Sequence, residues 1–150
     1  MLDVEGIRRC LPLRYPYLML DRIAEQSEQK VVALKNVTIN EPFFQGHFPE
    51  PLEAVMPGTL ILETMAQAVA FLADLASDRA TRRQGYLVGV DKARFRRKVV
   101  PGDRLRVEAE RVRVKQNLLR ADVRATVDGE LVASATISLL LAEGGTEEPR

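Results

Sequence analysis

This chain is short of the side chains from which metal and cofactor sites are usually made. It holds one cysteine, Cys10, and one histidine, His47. A single cysteine cannot form an internal disulfide, which suits a reducing compartment such as the cytoplasm. Cys10 then reads most simply as an inert thiol near the N-terminus. A single histidine leaves no Cys/His cluster and no zinc-ligand spacing, so no metal site is expected. Net charge is missing too: 22 basic and 21 acidic side chains leave +1. That balance argues against a dominant nucleic-acid or membrane role. Nor is there a long unbroken apolar run. The nearest to one, "AVMPGTLILETMAQAVAFLA" (54–73), is interrupted by Pro57, Glu63 and Gln67 and reads as a buried helix rather than a membrane span. The opening "MLDVEGIRRC" has acidic residues and no apolar core, unlike a secretory signal.

What is present fits one domain over 1–150. The chain has 150 residues, 46% of them hydrophobic, enough to bury a substantial core. The two prolines in "PLRYPYLMLDRI" (12–23) predict a loop leading into a strand. "KVVALKNVTI" (30–39), rich in β-branched residues, predicts another strand. "NEPFFQGHFPEP" (40–51) carries three prolines and a glycine and predicts an irregular loop. After Pro57-Gly58, "TLILETMAQAVAFLADLAS" (59–77) has many strong helix formers, with Thr59 a candidate cap. Such a helix is about 28 Å long and apolar on most faces, so other elements must enclose it.

The second half supplies them. A polar loop (77–85) precedes strands at 86–95, at 103–116 with a phase drift near Arg111, and across 118–141. The last of these divides at Asp128-Gly129, a strong hairpin signal. The polar tail 142–150 reads as a flexible end. An antiparallel sheet curled around one long central helix satisfies this order. That is an α+β, hotdog-like fold, and its open edges predict a homodimer.

His47 and Glu63 stand out chemically. Histidine suits proton transfer near neutral pH. Glu63 is flanked by Leu60, Ile61, Leu62 and Met65, and its i+4 neighbour is the neutral Gln67. A carboxyl so placed is pushed toward its neutral form and can act as an acid. Met56-Pro57-Gly58 opens the helix, where backbone N–H groups favour developing negative charge. Base, acid and oxyanion donor together suit proton removal beside a carbonyl and loss of a hydroxyl, a dehydration. A solvated loop histidine and a stray helix charge remain the alternative at this level.

Four stretches, "LPLRYPYLMLDRI" (11–23), "KNVTINEPFFQGHFP" (35–49), "VMPGTLILETMAQ" (55–67) and "VGVDKARFRRKVVPGDRL" (88–105), resemble the (3R)-hydroxyacyl-acyl carrier protein dehydratases of the FabZ type. The resemblance implies the hotdog fold and water loss from a 3-hydroxyacyl thioester carried on acyl carrier protein. It implies no dissociable cofactor and no metal, and an active site between two protomers, with His47 of one facing Glu63 of the other. It also implies a homodimer, which relatives often build into a trimer of dimers. Gly58 matches the carbonyl-binding backbone, Gln67 a residue orienting the carboxyl, and Tyr86 a tyrosine gating the acyl tunnel. Tyr86 reads equally well as an aromatic at the start of a strand.

The chain departs from the family pattern in places. "HFPEPLEAVMPG" (47–58) is two residues longer than the usual form and has Glu50 for a glycine. Leu13 replaces the common histidine of "LPHRYP". The longer loop is read as altered substrate preference. Glutamate, where dehydratase–isomerases have aspartate, favours plain dehydration. Arg94, Arg96, Arg97 and Lys98, with Arg82 and Arg83, form a candidate docking surface for an acidic carrier protein, against the simpler reading of a solvated strand. Two other functions compete: a hotdog thioesterase, and a catalytically silent subunit that binds acylated carrier.

Overall fold

The computed structural model describes residues 1–75 and 83–143. One helix sits in the hollow of one curved sheet, as expected. In chain order the elements are α1 (Val4–Cys10), β1 (Arg22–Gln26), β2 (Lys30–Asn36), a 3-10 turn (Pro42–Gln45), α2 (Gly58–Leu75), β3 (Arg83–Phe95), β4 (Arg104–Lys115), β5 (Leu118–Val127) and β6 (Glu130–Glu143). The six strands form one antiparallel sheet in the order β1-β2-β4-β5-β6-β3. This is the hotdog arrangement.

Alternation creates the inner face. On β5 Leu119, Ala121, Val123, Ala125 and Val127 are buried, while the residues between them face outward. Leu105, Val107 and Ala109 do the same on β4. Alanines at 109, 121, 125 and 133 let the helix approach closely, because they place little bulk between sheet and helix. Against them α2 packs Ile61, Met65, Ala68 and Leu72, spaced to share one helical face. The helix touches β2, β3, β4, β5 and β6.

The phase drift near Arg111 is a register shift between Arg111 and Arg113 in the β4–β5 pairing. Beyond it Val112 and Val114 are exposed. Asp128 and Gly129 both take positive φ, 49° and 81°, as a tight hairpin requires, and Val127 pairs with Glu130 across it.

Other boundaries differ from expectation. α1 was not foreseen; Asp3 caps it by accepting from Gly6 N at 2.9 Å. The strand expected within 12–23 lies at 22–26 instead, and Met19 and Leu20 are buried as irregular chain. Met19 N is bonded to the Gln67 side chain and not to a neighbouring strand. The strand expected over 30–39 ends at Asn36. The helix begins before Thr59: Leu60 N and Ile61 N both donate to Pro57 O, so Thr59 lies inside it and is not its cap. Residues 83–85 of the expected loop belong to β3, and β6 runs through residues 142 and 143 of the expected tail. The rest of that loop and tail, 77–82 and 144–150, lies outside the described residues. Among those described, no helix is long and apolar enough to cross a membrane.

The sheet ends in two edges. β1 is short, and Leu2 bridges to it at Ile23. β3 is thirteen residues long and leaves Tyr86, Leu87, Val88 and Phe95 exposed.

Candidate active site

His47 follows the 3-10 turn and is fixed by main-chain groups on both sides. Its N–H donates to Phe43 O at 3.0 Å, and its carbonyl accepts from Val55 N at 3.1 Å. Nδ1 lies 2.6 Å from Val55 O. A carbonyl can only accept, so this bond places the proton on Nδ1 and leaves the Nε2 lone pair as a base. The ring also stacks on Phe48, 3.9 Å between centroids.

These bonds bracket the loop that the resemblance reads as two residues longer. His47 and Val55 close the base of the excursion 48–54, whose Phe48 and Leu52 face outward. The loop thus begins and ends at a main-chain closure that holds His47.

Glu63 is held by a side chain. Gln67, one turn on and 2% exposed, donates from Nε2 to Glu63 Oε1 at 2.9 Å and to Tyr17 O at 2.7 Å. Its Oε1 accepts from Met19 N at 2.9 Å. That N–H can only donate, so the amide cannot flip and its NH₂ must face the carboxylate. Burial holds the Glu63 carboxyl above its ordinary value of 4.5, and the Gln67 hydrogen bond draws it part of the way back.

Each half-site has its own cleft. A cleft of about 350 Å³ is lined by Val55, the residue bonded to His47, with Met56, Gly58, Ile61, Phe95 and the basic run at 96–98. A Cβ on Gly58 would come into van der Waals contact with the Phe95 ring at 3.4 Å, on the side of the helix start that lines this cleft. The first N–H groups of a helix have no intrahelical acceptor and point outward as donors. A second cleft, about 340 Å³, lies between Leu11, Leu13, Ala70, Ala73, Tyr86 and Leu141. Ala70 continues the helical face that bears Glu63 and Gln67, since i, i+4 and i+7 align. Tyr86 is half exposed there and donates from its hydroxyl to Gln84 Oε1 at 2.8 Å.

The chain therefore bonds His47 to Val55, which lines the cleft at Gly58, and Glu63 to Gln67, on the helical face that continues to Ala70 and the cleft that Tyr86 and Leu13 line. Among the described residues no hydrogen bond joins His47 to Glu63. No group of three His, Cys, Asp or Glu side chains that could hold a metal occurs among them either. The basic run is partly neutralised from within. Arg97 faces Asp103 at 3.9 Å and Glu130 at 3.4 Å, and Lys98 pairs with Glu53 from the excursion. Arg94 and Arg96 are exposed and have no ion pair among the described residues. Arg82 lies outside the described residues, as does the side chain of Arg83. Lys35, which carries no signal of function in the sequence, falls on the core-facing alternation Val31, Ala33, Val37 and is buried.

Residues 11–136 match a family model described as FabA-like domain. The chain is 50% identical over 146 residues to a protein of Anaeromyxobacter sp. (strain K) named 3-hydroxyacyl-[acyl-carrier-protein] dehydratase FabZ, covering 95% of this chain and 92% of that one. A protein of the same name from Oceanobacillus iheyensis is 48% identical, with 94% and 99% covered. Among solved structures, the dehydratase heterocomplex ApeI:P from Xenorhabdus doucetiae superposes with a TM-score of 0.80, at 16% identity, over 96% of this chain and 93% of that one. At that identity the likeness is one of fold alone.

Proposed function

The chain belongs to the FabA-like domain family, and from that membership we propose how its residues divide one reaction between them. The protein is a 3-hydroxyacyl-[acyl-carrier-protein] dehydratase, acting on an acyl chain held as a thioester on the carrier. Nε2 of His47 takes a proton from C2, and the electron pair left behind forms the C2–C3 double bond. Glu63 delivers its proton to the C3 hydroxyl, which departs as water and leaves the trans-2-enoyl thioester. The Gly58 N–H steadies charge on the thioester oxygen, and Gln67 aims the Glu63 carboxyl. Tyr86 borders the cleft that takes the acyl chain.

The observation that carries this reading is that one group is fixed with a free ring nitrogen to accept a proton while the other is held with a proton to donate. The Val55 carbonyl fixes His47 in the tautomer that accepts at Nε2. Burial favours the protonated, donating form of Glu63. Two groups set apart in this way are a base and an acid.

We place the two on different protomers of a homodimer. Supporting this are the lack of a hydrogen bond between them within the described chain and the apolar β3 edge, which solvent alone would leave as a liability. A two-fold pairing would cover that edge and supply each His47 with the other protomer's Glu63.

The test follows enoyl-thioester absorbance with a 3-hydroxyacyl carrier-protein substrate. His47→Ala and Glu63→Gln are each expected to lose on the order of 10²–10⁴-fold in kcat. Refolding the two inactive variants together should restore about a quarter of the parent activity, because half the dimers then carry one intact site of two. No recovery would place both groups in one protomer. No water loss by the parent would remove the dehydratase reading itself.

A further inference from the structure

The inner face of β2 carries a charge among apolar neighbours. Val31, Ala33 and Val37 belong to the core. Lys35 shares their alternation and is 3% exposed. Its partner is Glu41, with Nζ 2.8 Å from Oε1 and the glutamate side chain 22% exposed. Burying such a pair gains little stability: two apolar side chains of similar volume usually hold a fold as well or better.

The position of Glu41 gives the pair another role. Glu41 leads the 3-10 turn, and its carbonyl accepts from Phe44 N at 3.1 Å. Phe44 is buried, so the turn is rooted in the core just past the carboxylate. The next carbonyl in use, that of Phe43, accepts from both Gly46 N and His47 N. A continuous set of bonds thus runs from the Lys35 ammonium on the sheet to the backbone of His47. On its other side, the hydrogen bonds of His47 among the described residues run to Val55, at the base of the lengthened excursion.

We propose that Lys35 and Glu41 are positioning residues that set the direction of His47 Nε2 by locking the turn to the sheet. The inference rests on the reading of His47 as the base. Misplacing a reacting atom by about 1 Å costs on the order of a hundredfold, so a pair with little effect on stability can matter greatly to rate.

The double variant Lys35→Met/Glu41→Met separates the two effects, because it leaves no lone buried charge. It should melt at or above the parent temperature, while kcat falls by about tenfold or more and KM stays within about twofold. The isotope effect with C2-deuterated substrate should rise, since proton removal by His47 is the step impaired. An independent readout needs no substrate. His47 is the sole histidine, so its ring resonances are unique, and the ¹⁵N shifts report the Nδ1–H tautomer directly. In the double variant these signals should move and broaden. A folded double variant with parental ring signals overturns the proposal, whether or not the parent dehydrates the substrate. A parent that does not dehydrate the substrate, with ring signals that still shift in the double variant, would instead count against the dehydratase reading alone. If the double variant does not fold, Glu41→Asp replaces it. That change keeps both charges but shortens the reach, and unchanged ring signals there would equally overturn the proposal.

Discussion

The two halves of the site are held by different kinds of bond. His47 hangs on main-chain groups: Phe43 O, Val55 N and Val55 O. Glu63 depends on one buried side chain, Gln67, whose amide is fully engaged by Tyr17, Met19 and Glu63. Backbone anchors do not specify the residues around them. The loop after His47 could therefore grow by two residues and accept Glu50 without losing its closure. A side-chain anchor has no such latitude, since each polar atom of Gln67 faces a partner that burial would leave unsatisfied.

Gln67→Leu probes the second arrangement and should have the largest effect. It strands Met19 N and Tyr17 O, which costs about 1–3 kcal/mol for each buried group left unpaired. It also frees the Glu63 carboxyl, so kcat should fall at least about tenfold. Thermal unfolding and steady-state kinetics would read both. A Gln67→Leu enzyme with parental stability and kcat would mean that the helix alone aims Glu63, and the contrast between the halves would disappear.

The pH dependence of Glu63 sharpens the comparison by a smaller effect. Burial raises its carboxyl above 4.5 and Gln67 partly offsets this. The folded state therefore binds the proton more tightly than the unfolded chain does. The stability this contributes is complete below about 4.5 and is lost as pH rises through the folded value. Glu63→Gln cannot titrate, so its melting temperature should gain on the parent as pH rises from 4.5 upward. Activity follows the same group: kcat should decline on the alkaline side as Glu63 ionises. A melting difference that is flat with pH would show the carboxyl to be solvated.

The same division explains what could be read from residues alone. The helix, the strand alternation and the Asp128-Gly129 hairpin were legible because each depends on local pattern. So was Glu63, since a carboxylate between Leu62 and Met65 breaks that pattern visibly. The strand sought in 12–23 was misplaced because the apolar run at Met19 and Leu20 is buried without a ladder, satisfied by a glutamine far along the chain. Apolarity shows that a segment is inside but not which partner its backbone finds. The tolerance of the longer loop was hidden for a related reason: its closure uses main-chain atoms, which every residue shares. Lys35 lay in plain view at an inward position of β2, and following the alternation of 31, 33 and 37 would have exposed it.

The smallest effect concerns the outward side of the His47 half. The excursion that backbone anchoring permits carries Glu53 to Lys98, and Asp103 and Glu130 occupy Arg97. Among the described residues, the proposed docking surface for an acidic carrier protein would therefore rest on the cations without an ion pair, Arg94 and Arg96. Exposed ion pairs are worth about 0–1 kcal/mol, so Arg96→Glu should raise KM for carrier-linked substrate by only about two- to fivefold at low salt. KM for a short thioester that lacks the carrier should not change. Glu53→Gln releases Lys98 and should act in the opposite direction, lowering KM for the carrier-linked form. If both variants leave that KM and its salt dependence untouched, the basic run is a solvated strand end. The longer loop would then be an addition that the anchoring of His47 tolerates and docking does not use.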